Sequence, residues 1–326
     1  STSVAIQFCF LSIFLEHWPR LWWVFSTTVS LVLNIKQRMT VKNKYTDLLT
    51  LNLSILFIST SGVLGKYIEL PVPIIIFLRA FIAAILLFFY AKIKGLNFGM
   101  ARKSQIHLML GGIFLGVHWI TYFYALKFSN VAIGMLSLYT FPIITAILEP
   151  LFLRKKFLMI HFIMGLVVLL GIYLLAPKFS INNHHFLGLC FGVLSAIFYS
   201  VRNIMLKSSR ENIHNQSVIM IYQLVVISVI LIPTLIFFDS SNLIEFLPST
   251  ILLAILTTAV GHTLFVQSLK YFSTTSASLM SSLQPIYGII LAYIFLSEYP
   301  NLRTIIGGLL IISTVIIESI RIKKET

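Results

Sequence analysis

Two histidines, His118 and His262, lie inside long apolar stretches of a 326-residue chain, at nearly equivalent places in its two halves. Imidazole can relay a proton or hydrogen-bond a polar solute near neutral pH. Tyr122 follows His118 by four residues and Thr258 precedes His262 by four, so each pair shares one face of a helix. Arg79 also sits in an apolar run, and its guanidinium could hold a carboxylate with two parallel bonds or tie down helix-end carbonyls. Glu149 could couple to a proton or pair with the basic cluster Arg154-Lys155-Lys156; pairing is favoured, because the cluster follows within about 10 Å along a helix. Ser195, Tyr199 and Arg202 recur at helical spacing, as do Ser54 and Ser61 with Ser59 and Thr60 beside them. Such residues line aqueous cavities or join membrane helices.

Other chemistries find little material. No phosphate-binding loop motif occurs, so nucleotide hydrolysis is not expected. Cys9 and Cys190 stand alone in apolar sequence, and neither histidine has the companions of a metal set, so no metal and no cofactor is expected. A membrane enzyme would need acids, bases or metal ligands gathered at one face, for which His184-His185 is the only candidate. A structural or sensory membrane subunit would need no polar interior at all.

The elements that carry these groups follow from composition. The chain is 58% hydrophobic and 10% charged, against roughly 25% charged in soluble domains. A crossing helix needs about 20 apolar residues. Ten such stretches can be read at 47–66, 73–91, 106–126, 131–151, 159–176, 186–206, 217–238, 250–269, 276–296 and 302–320. The net charge of +14 comes from short basic clusters between these runs, where lipid headgroups rather than nucleic acid would meet them. Of the Lys and Arg outside Arg20 and Arg79, eighteen fall on one side of the alternating loops. Only Lys66, Lys127, Lys178 and Arg303 fall on the other. Positive residues stay inside, so both ends of the ten-span unit are expected in the cytoplasm. Residues 1–38 fit this unit poorly; an eleventh short span, an interfacial anchor with Trp18, Trp22 and Trp23, and an extension foreign to the native product are all open, the last favoured.

A shift of 143 residues lays Leu126-Lys127 on Leu269-Lys270, Pro142-Ile143 on Pro285-Ile286 and Gly165-Leu166 on Gly308-Leu309. Five spans per copy is an odd number, so the second copy must enter the bilayer from the opposite side, the arrangement of many alternating-access carriers. Pro142 and Pro285 fall at equivalent points of spans four and nine and are expected to kink them, freeing the carbonyls of Leu138 and Ser281. Freed backbone inside a membrane must face protein or a watery cavity. The cavity is therefore expected beside Tyr139, Gln284 and Tyr287, with Ser137 near them.

Several of these residues resemble the EamA family of the drug/metabolite transporter superfamily. They are Arg79-Ala80 in span two, the turn Lys127-Phe128-Ser129-Asn130-Val131-Ala132, and Pro285 with Glu298 thirteen residues on and Gly307-Gly308 after it. The resemblance covers roughly 46–320; it departs in the first half, where Lys155 takes the place matching Glu298. It implies ten helices in two five-helix repeats that move small metabolites, often amino acids, across the bacterial inner membrane.

The expectation is thus an all-α integral membrane protein of ten transmembrane helices in two inverted five-helix repeats, 46–177 and 185–320, with a tail at 321–326. Its partners are membrane lipid and a small metabolite, with proton coupling left open, as monomer or homodimer. The function is alternating-access export of an amino acid or related compound; import or exchange of a nucleotide-like cofactor such as S-adenosylmethionine is the alternative. The pathway residues are His118, Tyr122, Tyr139, Tyr199, His262, Gln284, Tyr287 and Arg79.

Overall fold

The computed structural model describes residues 44–129, 131–175, 183–208, 215–239, 242–296 and 301–324. The chain divides into Ser1–Thr46, of which only 44–46 are described, and Asp47–Thr326, which carries everything below. The reading of residues 1–38 as an extension lies outside the described residues, as do Asn130, Lys178, Arg210 and Glu298.

The described residues form helices and connecting turns, with no strand among them. In chain order they are α1 (Lys44–Tyr67), α2 (Val72–Ile93), α3 (Arg102–Phe128), α4 (Val131–Leu138), α5 (Phe141–Leu153), α6 (Met159–Leu175) and α7 (Asn183–Ser208). Then follow α8 (Gln216–Leu231), α9 (Thr234–Phe237), α10 (Leu243–Leu253), a π-helical stretch (Ala254–His262), α11 (Thr263–Ser268), α12 (Thr274–Ser281), α13 (Gln284–Leu296) and α14 (Leu302–Lys324). Local chemistry accounts for several ends. Asn215 accepts the Ser217 N–H at the start of α8, and the Ser273 hydroxyl accepts the Ser276 N–H at the start of α12, satisfying donors that have no partner within the helix. Arg154 takes a left-handed backbone (φ 51°) that ends α5 and turns the chain back.

Seven helical stretches among the described residues are long and apolar enough to cross a membrane: 72–93, 102–128, 134–153, 186–208, 216–237, 243–268 and 302–322. The first, fifth and ninth of the ten expected spans are not in that set. The fifth, α6, is a shorter apolar helix of 17 residues.

Spans four and nine are each interrupted just before the proline, at Tyr139–Thr140 between α4 and α5 and at Ser282–Leu283 between α12 and α13. Pro142 and Pro285 stand at the second position of the new helix, where a missing N–H costs nothing.

The packing is turned inside out relative to a soluble protein. Phe89, Leu151, Ile236, Phe237 and Leu309 are exposed, while Arg79, Glu149, Arg202 and Glu318 are buried. Hydrocarbon, not water, suits such a surface. The main pairings set early residues against late ones: α3 against α7 and α8, α2 against α8 and the π-helical stretch, α4 and α5 against α7, α6 against α14, and α12 against α5. Glycine permits the closest of these. A Cβ on Gly112 would stand 2.8 Å from the Gln223 carbonyl oxygen and 2.9 Å from its Cα, so α3 and α8 approach backbone to backbone. Gly192 on α7 lies in the same way against Ser137 on α4.

Candidate functional site

Where the broken helices meet α1, α3, α7 and the π-helical stretch, a cavity of about 40 Å³ remains. That is room for a few waters and no more. Its floor and walls come from Ser59, Ser61 and Gly62 of α1, His118, Trp119 and Tyr122 of α3, and Met135, Leu138, Tyr139 and Phe141 around the first break. Tyr199 of α7, His262 and Gln284 complete it from the other half of the chain. Six of the eight residues expected on the pathway therefore come together: His118, Tyr122, Tyr139, Tyr199, His262 and Gln284. Arg79 and Tyr287 do not line it. Tyr287 lies one turn beyond Gln284 and donates its hydroxyl to Asn52 Oδ1 at 3.2 Å, which ties α13 to α1.

Each wall residue is held by its neighbours. The Ser195 hydroxyl donates to the His118 carbonyl (2.9 Å), which uses its only proton. His118 Nδ1, 2.7 Å from the same hydroxyl oxygen, must therefore be the donor in that contact. In the neutral ring this leaves Nε2 as an acceptor. The His118 ring stacks on Tyr199, centroids 4.4 Å apart, and Tyr199 in turn meets Phe141 edge-on at 5.3 Å. His262 closes the π-helical stretch, its ring 5.2 Å from Trp119, and its Nδ1 is buried with no hydrogen-bond partner among the described residues. π-Helical turns are uncommon and gather at functional sites. Here the wide turn is stitched to α1 by Thr257 Oγ1, 3.1 Å from Thr60 Oγ1. The site thus offers aromatic faces, two imidazoles, phenolic hydroxyls and an amide: groups that hold a solute by stacking and hydrogen bonds.

Arg79 stands one side-chain layer behind this wall. It is 1% exposed; its Nε donates to Thr258 Oγ1 at 3.1 Å, and its Cζ lies 4.0 Å from the centre of the Trp119 ring and 5.8 Å from that of Phe123.

Other polar residues are used elsewhere. Arg202, counted from sequence among the loop cations and placed on a stripe with Tyr199, is fully buried and bonds Gln223 Oε1, Asn203 Oδ1 and the Met220 sulfur. Glu149 does meet Lys155 (3.2 Å), but it also accepts the backbone N–H groups of Thr274 (3.2 Å) and Thr275 (2.7 Å) and the Thr275 hydroxyl (2.6 Å). It caps α12 from across the molecule. Glu318 of α14 reinforces the same place, accepting from the Ser276 hydroxyl and meeting His161 and Arg321. Sequence reasoning missed this clasp; its signal was the run Ser273-Thr274-Thr275-Ser276 opening a span beside two acids isolated in apolar sequence. Among the described residues no three His, Cys, Asp or Glu gather as a metal set.

A profile of the EamA-like transporter family matches residues 46–176 and again residues 186–320. The pseudopaline exporter CntI of Pseudomonas aeruginosa is 24% identical over 249 residues, 74% of this chain and 84% of that one. An S-adenosylmethionine uptake transporter of Rickettsia conorii is 24% identical over 272 residues, 80% of this chain and 88% of that one. A solved crystal structure superposes with a TM-score of 0.73 at 17% identity, covering 86% of this chain and 99% of that one, which is a likeness of fold.

Proposed function

The chain belongs to the EamA-like transporter family, and from that premise we propose that it exports a small organic metabolite, an amino acid or related compound, by alternating access. It is a multi-pass membrane transporter of this bacterial family rather than an enzyme. In the proposed reading ten spans form two inverted five-helix repeats. The double match to one profile supports this, and so do helix bounds that repeat at the shift of 143 residues. Val131–Leu138 corresponds to Thr274–Ser281, Phe141–Leu153 to Gln284–Leu296, and the start of α6 at Met159 to the start of α14 at Leu302.

One observation carries the functional reading: a polar, aromatic cavity lies between the interrupted helices and draws its walls from both halves of the chain. At about 40 Å³ it is far smaller than the several hundred Å³ a metabolite fills, so loading requires the two halves to part. The clasp of Glu149 on α12 lies between the halves at the end of the bundle richest in Lys and Arg, which in this reading is the cytoplasmic end. His118, Tyr122, Tyr139, Tyr199, His262 and Gln284 would contact the solute, with a proton gradient or the solute's own gradient as driving force. Import or exchange of a nucleotide-like cofactor is the second reading, favoured by the Rickettsia relative.

Purified protein in liposomes loaded with a labelled metabolite panel tests this. The expected result is flux of unchanged solute, reduced tenfold or more by His262→Ala or Gln284→Ala with membrane insertion intact. Full flux in both variants removes the cavity from the pathway; a converted product overturns transport.

A further inference from the structure

Three other described basic side chains that reach into the bundle find acceptors. Lys127 Nζ donates to the Leu70 carbonyl, Lys207 Nζ to the Leu269 carbonyl, and Arg202 spreads over Gln223 and Asn203. Arg79 is different. Its Nε is engaged by Thr258 and its Cζ lies 4.0 Å from the centre of the Trp119 ring, yet Nη1 and Nη2 are buried with no partner among the described residues. No described carboxylate pairs with it. A charge buried with four donor hydrogens unanswered is among the costliest arrangements a protein interior can hold. Inside a membrane such a group marks a site.

The anchoring is directional. The Trp119 ring lies 4.0 Å from Cζ and the Thr258 bond holds Nε, so the edge left free is the end-on fork of Nη1 and Nη2. That fork matches the two oxygens of a carboxylate. Both anchors lead to the cavity: Trp119 lines it, and Thr258 is one turn before His262, which also lines it.

We propose that Arg79 is the residue that reads the carboxylate of the transported solute, receiving it on the free Nη1/Nη2 edge when the cavity opens, with the Trp119 ring beside the guanidinium covering it while the cavity is closed. This rests on the transport reading of the same cavity and adds a specificity-determining residue to it.

The test uses matched pairs differing only in the acid: L-phenylalanine with its amide, L-methionine with its amide, and benzoate with benzamide. Ligand-induced thermal stabilisation of the full chain in detergent reads the binding. The expected result is that, in at least one pair, the acid binds about 10- to 100-fold more tightly than its amide, as a bidentate charged pair implies. Arg79→Gln should erase that preference, and Arg79→Lys, which keeps the charge without the fork, should retain only part of it. Equal binding of acid and amide, no stabilisation by any of the acids at tens of millimolar, or an unchanged preference in Arg79→Gln overturns the proposal. The pairs on unmodified protein decide by themselves if Arg79→Gln does not fold. Liposome flux separates this from the broader reading. Acid-selective binding without flux of the bound acid leaves the carboxylate site and removes transport; equal flux of acids and amides, undiminished in Arg79→Gln, leaves transport and removes the site.

Discussion

Replacing Glu149 separates two explanations of what holds its buried carboxylate, of which the sequence suggested only the first. One is an ion pair with Lys155; the other is the cap on α12. The Glu149 side chain is 4% exposed and that of Lys155 is 49% exposed. A pair with one member half in water contributes about 0–1 kcal/mol. The bonds from the Thr274 and Thr275 N–H groups and the Thr275 hydroxyl are buried and reach an ionised acceptor, a type worth about 1.5–3 kcal/mol each before allowing for non-additivity. Glu149→Ala strands those donors and should cost about 3–5 kcal/mol. Glu149→Gln keeps one oxygen for Thr275 but turns an amide donor toward another donor, and should cost about 1.5–3 kcal/mol. Lys155→Met should cost under about 1 kcal/mol. Equilibrium unfolding of the purified protein in mixed micelles titrated with SDS measures all three. A double-mutant cycle with Thr275→Val should give a coupling to Glu149 of about 1–2 kcal/mol, larger than the coupling to Lys155. If Lys155→Met costs as much as Glu149→Gln, or the larger coupling belongs to Lys155, the cap is not what holds the carboxylate.

Two further outcomes are expected. Gly112→Ala forces a Cβ within 2.9 Å of the Gln223 backbone, so it should destabilise the bundle by about 1–3 kcal/mol in the same unfolding assay, whereas Gly95→Ser, where a Cβ meets nothing within 4 Å but φ is +60°, should cost about 1 kcal/mol. Cysteines placed at Lys94 and Lys156 should react with a membrane-impermeant reagent only from the cytoplasmic side of the cell, and one at Arg303 only from the outside; the reverse pattern would overturn the orientation drawn from the basic clusters.

The membrane character, the positions of the helices and the family were legible in the residues. Long apolar runs state their length directly, basic clusters mark their ends, and the lysine, proline and glycine pairs at one fixed shift reveal repetition without any contact being known. Six residues that line the cavity were also within reach, because a polar or aromatic group in an apolar span is conspicuous and the prolines say where the backbone is interrupted.

What the sequence determined alone was everything periodic or compositional: which segments are rods, roughly where they break, and which side chains are too polar for their surroundings. What the tertiary structure decided was partnership. Arg202 and Arg79 are alike on the page, each a cation in an apolar run, yet one meets Gln223 and Asn203 while the other keeps two nitrogens free beside Trp119. Glu149 lies six residues from Lys155 and more than a hundred from Thr275, and it is the distant residue that gives it most of its bonds. Hydrogen bonds are short and directional, so they depend on which helices are neighbours, and that adjacency is a property of the packed bundle rather than of any stretch within it.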